Sequence, residues 1–188
     1  MSAAHHKPRT IVVAIDNSKF AEWAFNFAIS IMNIETDKIV LLGVAERLNT
    51  AVYGPAFTSG HYLETAQQNI EFQTKSTLIP FGRRCKDMGL KNYSMIMTTS
   101  NHAGESIVSY CSEVHADMVV LGRRGIGAVK RVFVGSTSKH VVEHSPCHVV
   151  VVKGPEEKHD DEIKHEHTVH TIDNDAEMPT APVAAAKE

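Results

Sequence analysis

Five short apolar runs, separated by segments with helical spacing, constrain the fold of this chain more than any other feature. Each run is continuous and rich in β-branched residues, which is typical of strands buried on both faces of a parallel sheet. Between the runs, apolar residues recur every three or four positions and indicate amphipathic helices. The β-α-β-α-β-α-β-α-β order predicts an open, doubly wound α/β domain. The predicted strands are residues 10–15, 37–44, 92–99, 117–121 and 148–152.

The predicted helices have recognisable ends. Asn17 or Ser18 can cap the first helix, because short polar side chains accept hydrogen bonds from the free N–H groups of a first turn. A long helix around Leu63–Met88 contains Pro80, and we expect a kink there because proline removes a helical hydrogen bond. The last helix is predicted at Ser136–His144.

Charge and composition divide the chain into three segments. We expect residues 1–8 to be a disordered N-terminus and residues 9–153 to form the folded domain. From residue 154 to 188 the sequence carries ten acidic and three basic residues, many histidines and few aliphatic ones. Such a segment cannot bury enough apolar surface to offset its ordering entropy, so we predict a disordered acidic, His-rich tail.

The three cysteines, Cys85, Cys111 and Cys147, are widely spaced. Two fall on apolar helical positions and the third precedes an apolar strand, so we interpret them as buried core thiols. The odd count and the lack of a signal peptide favour a reducing compartment, and we expect a cytoplasmic location, with nuclear access left open. The absence of a long apolar segment predicts no membrane span.

The stretch Gly122–Ser138, GRRGIGAVKRVFVGSTS, has the chemistry of a phosphate-binding loop between a strand and a helix. Glycines allow close approach of the backbone, and backbone N–H groups at a helix start bind anions. Two standard phosphate motifs do not fit. A P-loop requires Lys where Ala128 stands, and a dinucleotide fingerprint requires Gly where Lys130 stands.

The spacing that does fit is G-x-x-G, nine residues, then G-[ST]. With this spacing, and with the segments TIVVAID, GESIVSYCSEVHADMVVLGRRG and GAVKRVFVGSTSKHVVEHSPCHVVVVK, the sequence resembles the universal stress protein family, in its ATP-binding subgroup, over residues 9–153. The resemblance implies a Rossmann-like fold of the adenine nucleotide alpha hydrolase type, with strand order 3-2-1-4-5. Strands one and four would then be neighbours, and their carboxyl ends would form the ligand crevice.

The resemblance also implies roles for individual residues. Gly122, Gly125, Gly135 and Ser136 would hold the phosphates, with Thr137 as a further donor. Asp16 would accept hydrogen bonds from ribose hydroxyls, although such an acid is more often a helix cap. Ala14 and Val44 would form an apolar wall for adenine. Arg123 would contact phosphate or remain solvated.

The expected function is ATP binding, with Mg²⁺ or Mn²⁺ arriving with the nucleotide, in a stress-response sensor or regulator. Two alternatives remain: a nucleotide-free protein-interaction module of the same fold, and a slow ATP hydrolase. No nucleophile with a positioned base is recognisable, so we do not expect an efficient enzyme. We expect no metal site built from histidine, because a disordered tail offers no preformed geometry and His140 and His144 lack a zinc-protease pattern.

The fifth strand, His148–Val152, would lie at a sheet edge in the implied order, yet it reads HVVVV. A flat apolar edge requires a cover. The resemblance implies a homodimer in which two fifth strands meet, while a tail folded over the edge is the alternative. We expect an unidentified protein partner and neither a nucleic acid nor a membrane as a partner.

Overall fold

The structure is a computed structural model that describes residues 7–48, 60–123 and 135–154. Five strands and four helices alternate along the described chain, as the sequence predicts. They are β1 (Thr10–Ala14), α1 (Lys19–Ile31), β2 (Lys38–Glu46), α2 (Gly60–Asp87), β3 (Tyr93–Ser100), α3 (Ala103–Glu113), β4 (Met118–Gly122), α4 (Ser136–His144) and β5 (His148–Val152).

The five strands form one parallel sheet in the order β3-β2-β1-β4-β5. The predicted fold class and strand order are therefore confirmed. The order reverses direction between β1 and β4, so the carboxyl ends of these two central strands flank the crevice where ligands of such sheets bind.

Alternate residues of the strands supply two apolar cores, one on each side of the sheet. Ile11, Val13 and Leu41 pack with α1 and α2 on one side. Val12 and Val40 pack with α3 and α4 on the other. This two-sided burial is the reason the strands read as continuous apolar runs.

The helix boundaries bear out most of the local signals. Ser18 is the N-cap of α1, and its hydroxyl accepts a hydrogen bond from the backbone N–H of Ala21 at 3.2 Å. Helix α2 continues through Pro80, which lies on the exposed side. Water can reach that side and hydrate the carbonyl that lost its N–H partner. The kink itself stays a prediction.

Two carboxylates, of which one is fully buried, join neighbouring chain segments at the amino edge of the sheet. Asp37 is fully buried and accepts hydrogen bonds from the backbone N–H groups of Arg9 and Asn33, both at 2.9 Å, and from the Arg9 guanidinium at 2.7 Å. Burial alone would raise the pKa of Asp37, but the hydrogen bonds from Arg9 and Asn33 outweigh it and lower the pKa below its ordinary 3.8. Asp117 accepts a hydrogen bond from the N–H of Thr10 at 2.8 Å.

Strand β5 ends the sheet on one side and pairs within it with β4. Its four valines are half-buried, so the edge is apolar without being fully covered within the described residues. In the described part of the chain, none of the helices has the length and apolar character needed to cross a membrane. The chain divides into two units, of which the first is Met1–Glu156. Apart from Gly154, the predicted tail lies outside the described residues.

Candidate functional site at the carboxyl edge of the sheet

The central strands bring the predicted acid and the start of the glycine loop to the same edge. Val13 of β1 pairs with Val120 of β4. Two residues further along each strand lie Ile15 and Gly122, so Asp16 follows β1 at the level where β4 ends. Ala14 is the last residue of β1 and is half-buried. The register therefore places these sequence-predicted residues beside the crevice.

Asp16 is already engaged by the protein. Its Oδ1 accepts hydrogen bonds from the backbone N–H of Ser18 at 3.2 Å and from the Ser18 hydroxyl at 2.5 Å. Because Ser18 caps α1, the carboxylate fixes the start of this helix. The capping role weighed for Asp16 in the sequence is thus realised through Ser18.

Gly122 has a packing reason to be glycine that the sequence did not show. A Cβ at this position would lie 2.5 Å from the Phe20 Cβ and 2.8 Å from the Phe20 carbonyl carbon. The first turn of α1 therefore lies directly against the end of β4. Any larger residue would displace this turn together with the cap held by Asp16.

The main chain of Arg123 joins three parts of the site. Its N–H donates to the carbonyl of Val152 at 2.9 Å, and its carbonyl accepts from the N–H of Gly135 at 2.9 Å. The buried Ser138 hydroxyl lies 3.1 Å from the same carbonyl and 3.0 Å from that of Gly135. These contacts close the base of the glycine loop, and sequence reasoning missed the part played by Ser138.

The Arg123 side chain contains an unused buried donor. Its Nε is shielded from solvent and has no hydrogen-bond partner among the described residues. A buried guanidinium nitrogen without a partner is costly, and an anionic ligand at the loop would satisfy it. The sequence left two alternatives for Arg123, a phosphate contact or a solvated side chain, and the burial of Nε argues against full solvation.

Helix α4 begins without a side-chain cap. Gly135 is its N-cap residue, so backbone N–H groups of the first turn lack a side-chain acceptor. Ser136 is exposed and Thr137 half-exposed in that turn. Free N–H groups at a helix start, together with two hydroxyls, form an arrangement suited to an anion.

A cavity of about 460 Å³ connects this helix start to the end of β2. It brings together three predicted residues, Val44, Ser136 and Thr137. Ala14, Asp16 and Gly122 are not part of the lining of this cavity, and Gly125 lies outside the described residues. The predicted set thus falls into two adjoining groups, one around the cavity and one between β1 and β4.

The same cavity is lined by residues that the sequence analysis did not select. They are Glu46, His102, His140 and the turn that joins β3 to α3. The signal that could have identified them is the carboxyl-end rule for parallel strands, since β3 ends at Ser100. A Cβ on Gly104 would lie 2.9 Å from the His140 Cβ, so α3 and α4 pack closely enough to place His140 in the wall.

Within residues 7–48, 60–123 and 135–154, no cluster of three or more His, Cys, Asp or Glu side chains suits a metal ion. The His140 and His144 rings stack at 4.2 Å, and the Nδ1 of His144 is hydrogen-bonded to the carbonyl of His140 at 2.9 Å.

Comparison with known proteins identifies a family to which the chain is similar. The model of the universal stress protein family matches residues 7–153. A putative universal stress protein of Staphylococcus saprophyticus is 28% identical over 172 residues, covering 86% of this chain and 98% of that protein. The family-model match, residues 7–153, spans both groups of candidate site residues.

Solved structures share the fold. The universal stress protein UspA of Lactobacillus plantarum superimposes with a TM-score of 0.68 at 24% identity, covering 79% of this chain and all of that one. A universal stress protein in complex with cAMP gives 0.56 at 19% identity, covering 77% and 97%. An Arabidopsis thaliana family member with AMP bound gives 0.54 at 20% identity, covering 77% and 91%.

Proposed function

Since the chain belongs to the universal stress protein family, we propose that it binds an adenine nucleotide at the carboxyl edge of its sheet. The observation that carries the proposal is the uncapped start of α4, where Ser136 and Thr137 share a cavity with the apolar Val44. An anion-binding helix start beside an apolar wall fits a nucleotide, which joins phosphate to an aromatic base. Relatives in complex with cAMP and with AMP support this ligand class.

The nucleotide we propose is ATP. The glycine loop has four cations in its sequence, Arg123, Arg124, Lys130 and Arg131, which favours a ligand with several negative charges. The Nε of Arg123 has no partner among the described residues, which supports a phosphate contact at the loop base. Mg²⁺ or Mn²⁺ would arrive with the nucleotide, held mainly by phosphate oxygens and water.

We propose binding without efficient turnover. Asp16, the acid that follows the end of β1, has its Oδ1 committed to Ser18 and thereby to the cap of α1. A general base must be within hydrogen-bond reach of the proton that it takes, and this oxygen is already occupied. The proposed role is that of a stress-response sensor or regulator in the cytoplasm.

The binding test is isothermal titration with ATP, AMP and cAMP, with and without Mg²⁺, on wild type and Thr137→Val. We expect ATP to bind most tightly, and the variant to lose about tenfold, since a hydrogen bond to a charged group contributes roughly 1.5–3 kcal/mol. The control is Thr77→Val on α2, where the hydroxyl donates to the Gln73 carbonyl at 3.0 Å, far from the cavity.

Three outcomes would contradict the proposal. They are no detectable affinity at millimolar nucleotide, equal losses in the two threonine variants, and no preference for ATP over AMP. The first would favour the nucleotide-free interaction module. Steady-state phosphate release that depends on the bound nucleotide would instead favour the slow hydrolase.

We also propose that the protein is a homodimer in which two β5 strands meet. The half-buried valines of β5 form an apolar edge, and pairing with a second copy would cover it. Light scattering should give a dimer mass for wild type and a monomer mass for Val151→Lys. Val142→Lys, on an exposed position of α4, should leave the mass unchanged. A dimer that survives the β5 substitution would contradict this interface.

A further inference from the structure

A second cavity lies at the opposite, amino edge of the sheet. Its volume is about 630 Å³, and it opens beside the starts of β1, β4 and β5. Its lining includes Arg9, Asp117, Ser145, Cys147 and His148. None of the residues assigned to the nucleotide lines it, so this cavity is unexplained by the proposed function.

The chemistry-bearing group in this cavity is the thiol of Cys147. The residue is half-buried, and its Sγ lies 3.3 Å from the Ser145 hydroxyl oxygen. The backbone N–H of Cys147 also donates to that oxygen at 3.3 Å. A hydroxyl next to sulfur can donate to the thiolate, which is the reactive form of cysteine.

A second thiol lies behind the first. Cys111, in the last turn of α3, is fully buried in the same apolar core that Cys147 packs against. Two backbone hydrogen bonds bring them together. The N–H of Ala116 donates to the Cys111 carbonyl at 2.9 Å, and the N–H of His148 donates to the Asp117 carbonyl at 3.3 Å. The chain segments that carry the two cysteines are thereby laid side by side.

The Cys147 thiol also affects the acidity of Cys111. Burial first, and the neighbouring Cys147 thiol second, raise the pKa of Cys111 to about 12. Cys111 is therefore the protonated, enclosed member of the pair. Cys147 is the member that a small molecule can reach from the cavity.

Cys85 provides a built-in comparison. It is fully buried on α2, in the core on the other side of the sheet, and burial raises its pKa to about 11. It does not line the cavity that contains Cys147. Cys85 and Cys111 are thus both buried, but of these two residues Cys111 is the one with a neighbouring thiol.

We propose that Cys147 and Cys111 form a peroxide-responsive dithiol, in which a small hydroperoxide enters the amino-edge cavity and converts the pair to a disulfide. The Cys147 thiolate sulfur attacks one peroxide oxygen and the O–O bond breaks. Sulfur gives up two electrons, and the second oxygen leaves as water or alcohol after taking a proton. Cys147 becomes a sulfenic acid.

The second step closes the disulfide. The sulfur of Cys111 attacks the sulfenic sulfur, an S–S bond forms and the S–O bond breaks. The departing hydroxide takes the proton of the Cys111 thiol and leaves as water. The product ties the end of α3 to the start of β5.

The experiment uses the full chain, reduced and then treated with hydrogen peroxide in excess. After unfolding and alkylation, mass spectrometry counts the free thiols. We expect three alkylated cysteines before oxidation and one, Cys85, afterwards, with a Cys111–Cys147 peptide pair that dithiothreitol reverses. Cys85→Ala should still form the disulfide, and Cys147→Ser should not.

A dimedone trap separates the two steps. In Cys111→Ala the sulfenic acid at Cys147 has no partner, so we expect dimedone labelling of Cys147 several-fold above wild type. The wild-type peptide map shows whether the Cys111–Cys147 disulfide forms, even where a variant fails to fold. Three free thiols after peroxide, a disulfide that includes Cys85, a link between two chains, or a Cys147 sulfenic acid that never closes would each overturn the proposal. None of these results depends on nucleotide binding.

Discussion

Polar groups have different roles at the two edges of the sheet. At the amino edge, the carboxylates of Asp37 and Asp117 accept hydrogen bonds from neighbouring chain segments, and Asp37 is fully enclosed. At the carboxyl edge, α4 begins without a side-chain cap and the Nε of Arg123 has no partner among the described residues. The carboxylates of the first edge have partners within the chain, although the neighbouring Thr36 hydroxyl is buried without a partner among the described residues. The second edge leaves nitrogen donors for a ligand.

The difference between the two edges separates residues that determine stability from residues that determine nucleotide affinity. Groups that already have partners add to the free energy of unfolding, whereas groups that await an anion reduce stability slightly until the ligand arrives. Substitutions at the amino edge should therefore change stability with little effect on nucleotide affinity. Substitutions around the start of α4 should do the reverse.

The largest effect should follow Asp37→Asn. This change removes the negative charge from a buried pair with Arg9 and should lower the free energy of unfolding by about 3–5 kcal/mol. Urea unfolding measures the loss, and ATP titration at low temperature checks that affinity per folded molecule is retained. Glu22→Gln is the control, because its pair with Arg84 is exposed and should contribute less than about 1 kcal/mol. Similar losses of unfolding free energy in both variants would contradict the larger contribution expected of the buried pair.

The next largest effect should follow Gly122→Ala, which tests whether packing at the carboxyl edge requires glycine at this position. The new methyl group would collide with Phe20, including its backbone, and should cost about 1–3 kcal/mol of stability. The control is Gly43→Ala, where the nearest atoms belong to the Thr74 and Leu78 side chains, which can shift more readily. An unchanged unfolding curve for the Gly122 variant would show that α1 does not press on β4.

A smaller effect should follow Ser136→Ala. The Ser136 side chain is exposed, so the free energy of unfolding should stay within about 0.5 kcal/mol. ATP affinity should fall by about fivefold to tenfold, since one hydrogen bond to phosphate is lost. Titration and urea unfolding on the same sample provide both values. A loss of stability without a loss of ATP affinity would contradict the proposal that the start of α4 serves ligand binding.

The smallest effect should come from mild acid. The folded-state pKa of Asp37 is lowered, so its contribution to stability is fully present above its ordinary pKa of 3.8 and is lost as the pH falls through the folded value. Stability should therefore change little through Asp37 between pH 7 and pH 4, and decline below pH 4. Asp37→Asn should lack this decline, and an equal decline in wild type and variant would assign it to other carboxylates.

Local signals in the sequence were sufficient for the elements and for part of the site. The bounds of α4 and β5 agree with prediction because Ser145-Pro146 and continuous valines mark them without long-range help. Ser136 and Thr137 could be placed at a helix start for the same reason. The strand order came from the family resemblance, and the structure confirms it.

Long-range contacts account for what the sequence could not show. Gly122 was interpreted as a phosphate contact, yet its closest neighbour is Phe20, about a hundred residues earlier in the chain. Asp37 was placed within a strand, and its enclosure by Arg9 and Asn33 depends on how β1 and α1 meet. Ser138 received no role in the sequence analysis, because its two backbone carbonyl partners, Arg123 and Gly135, are brought to it by the fold.

The short bond from the N–H of Gly135 to the carbonyl of Arg123 has a consequence for how such a chain can change over evolution. It joins the two ends of the intervening segment independently of the length of that segment. Lengthening a loop that is closed at its base adds only about 0.6 kcal/mol for each doubling. Insertions and deletions between Arg123 and Gly135 should therefore leave the sheet intact, so a constraint on the nine-residue spacing of this segment would act through ligand binding and not through folding.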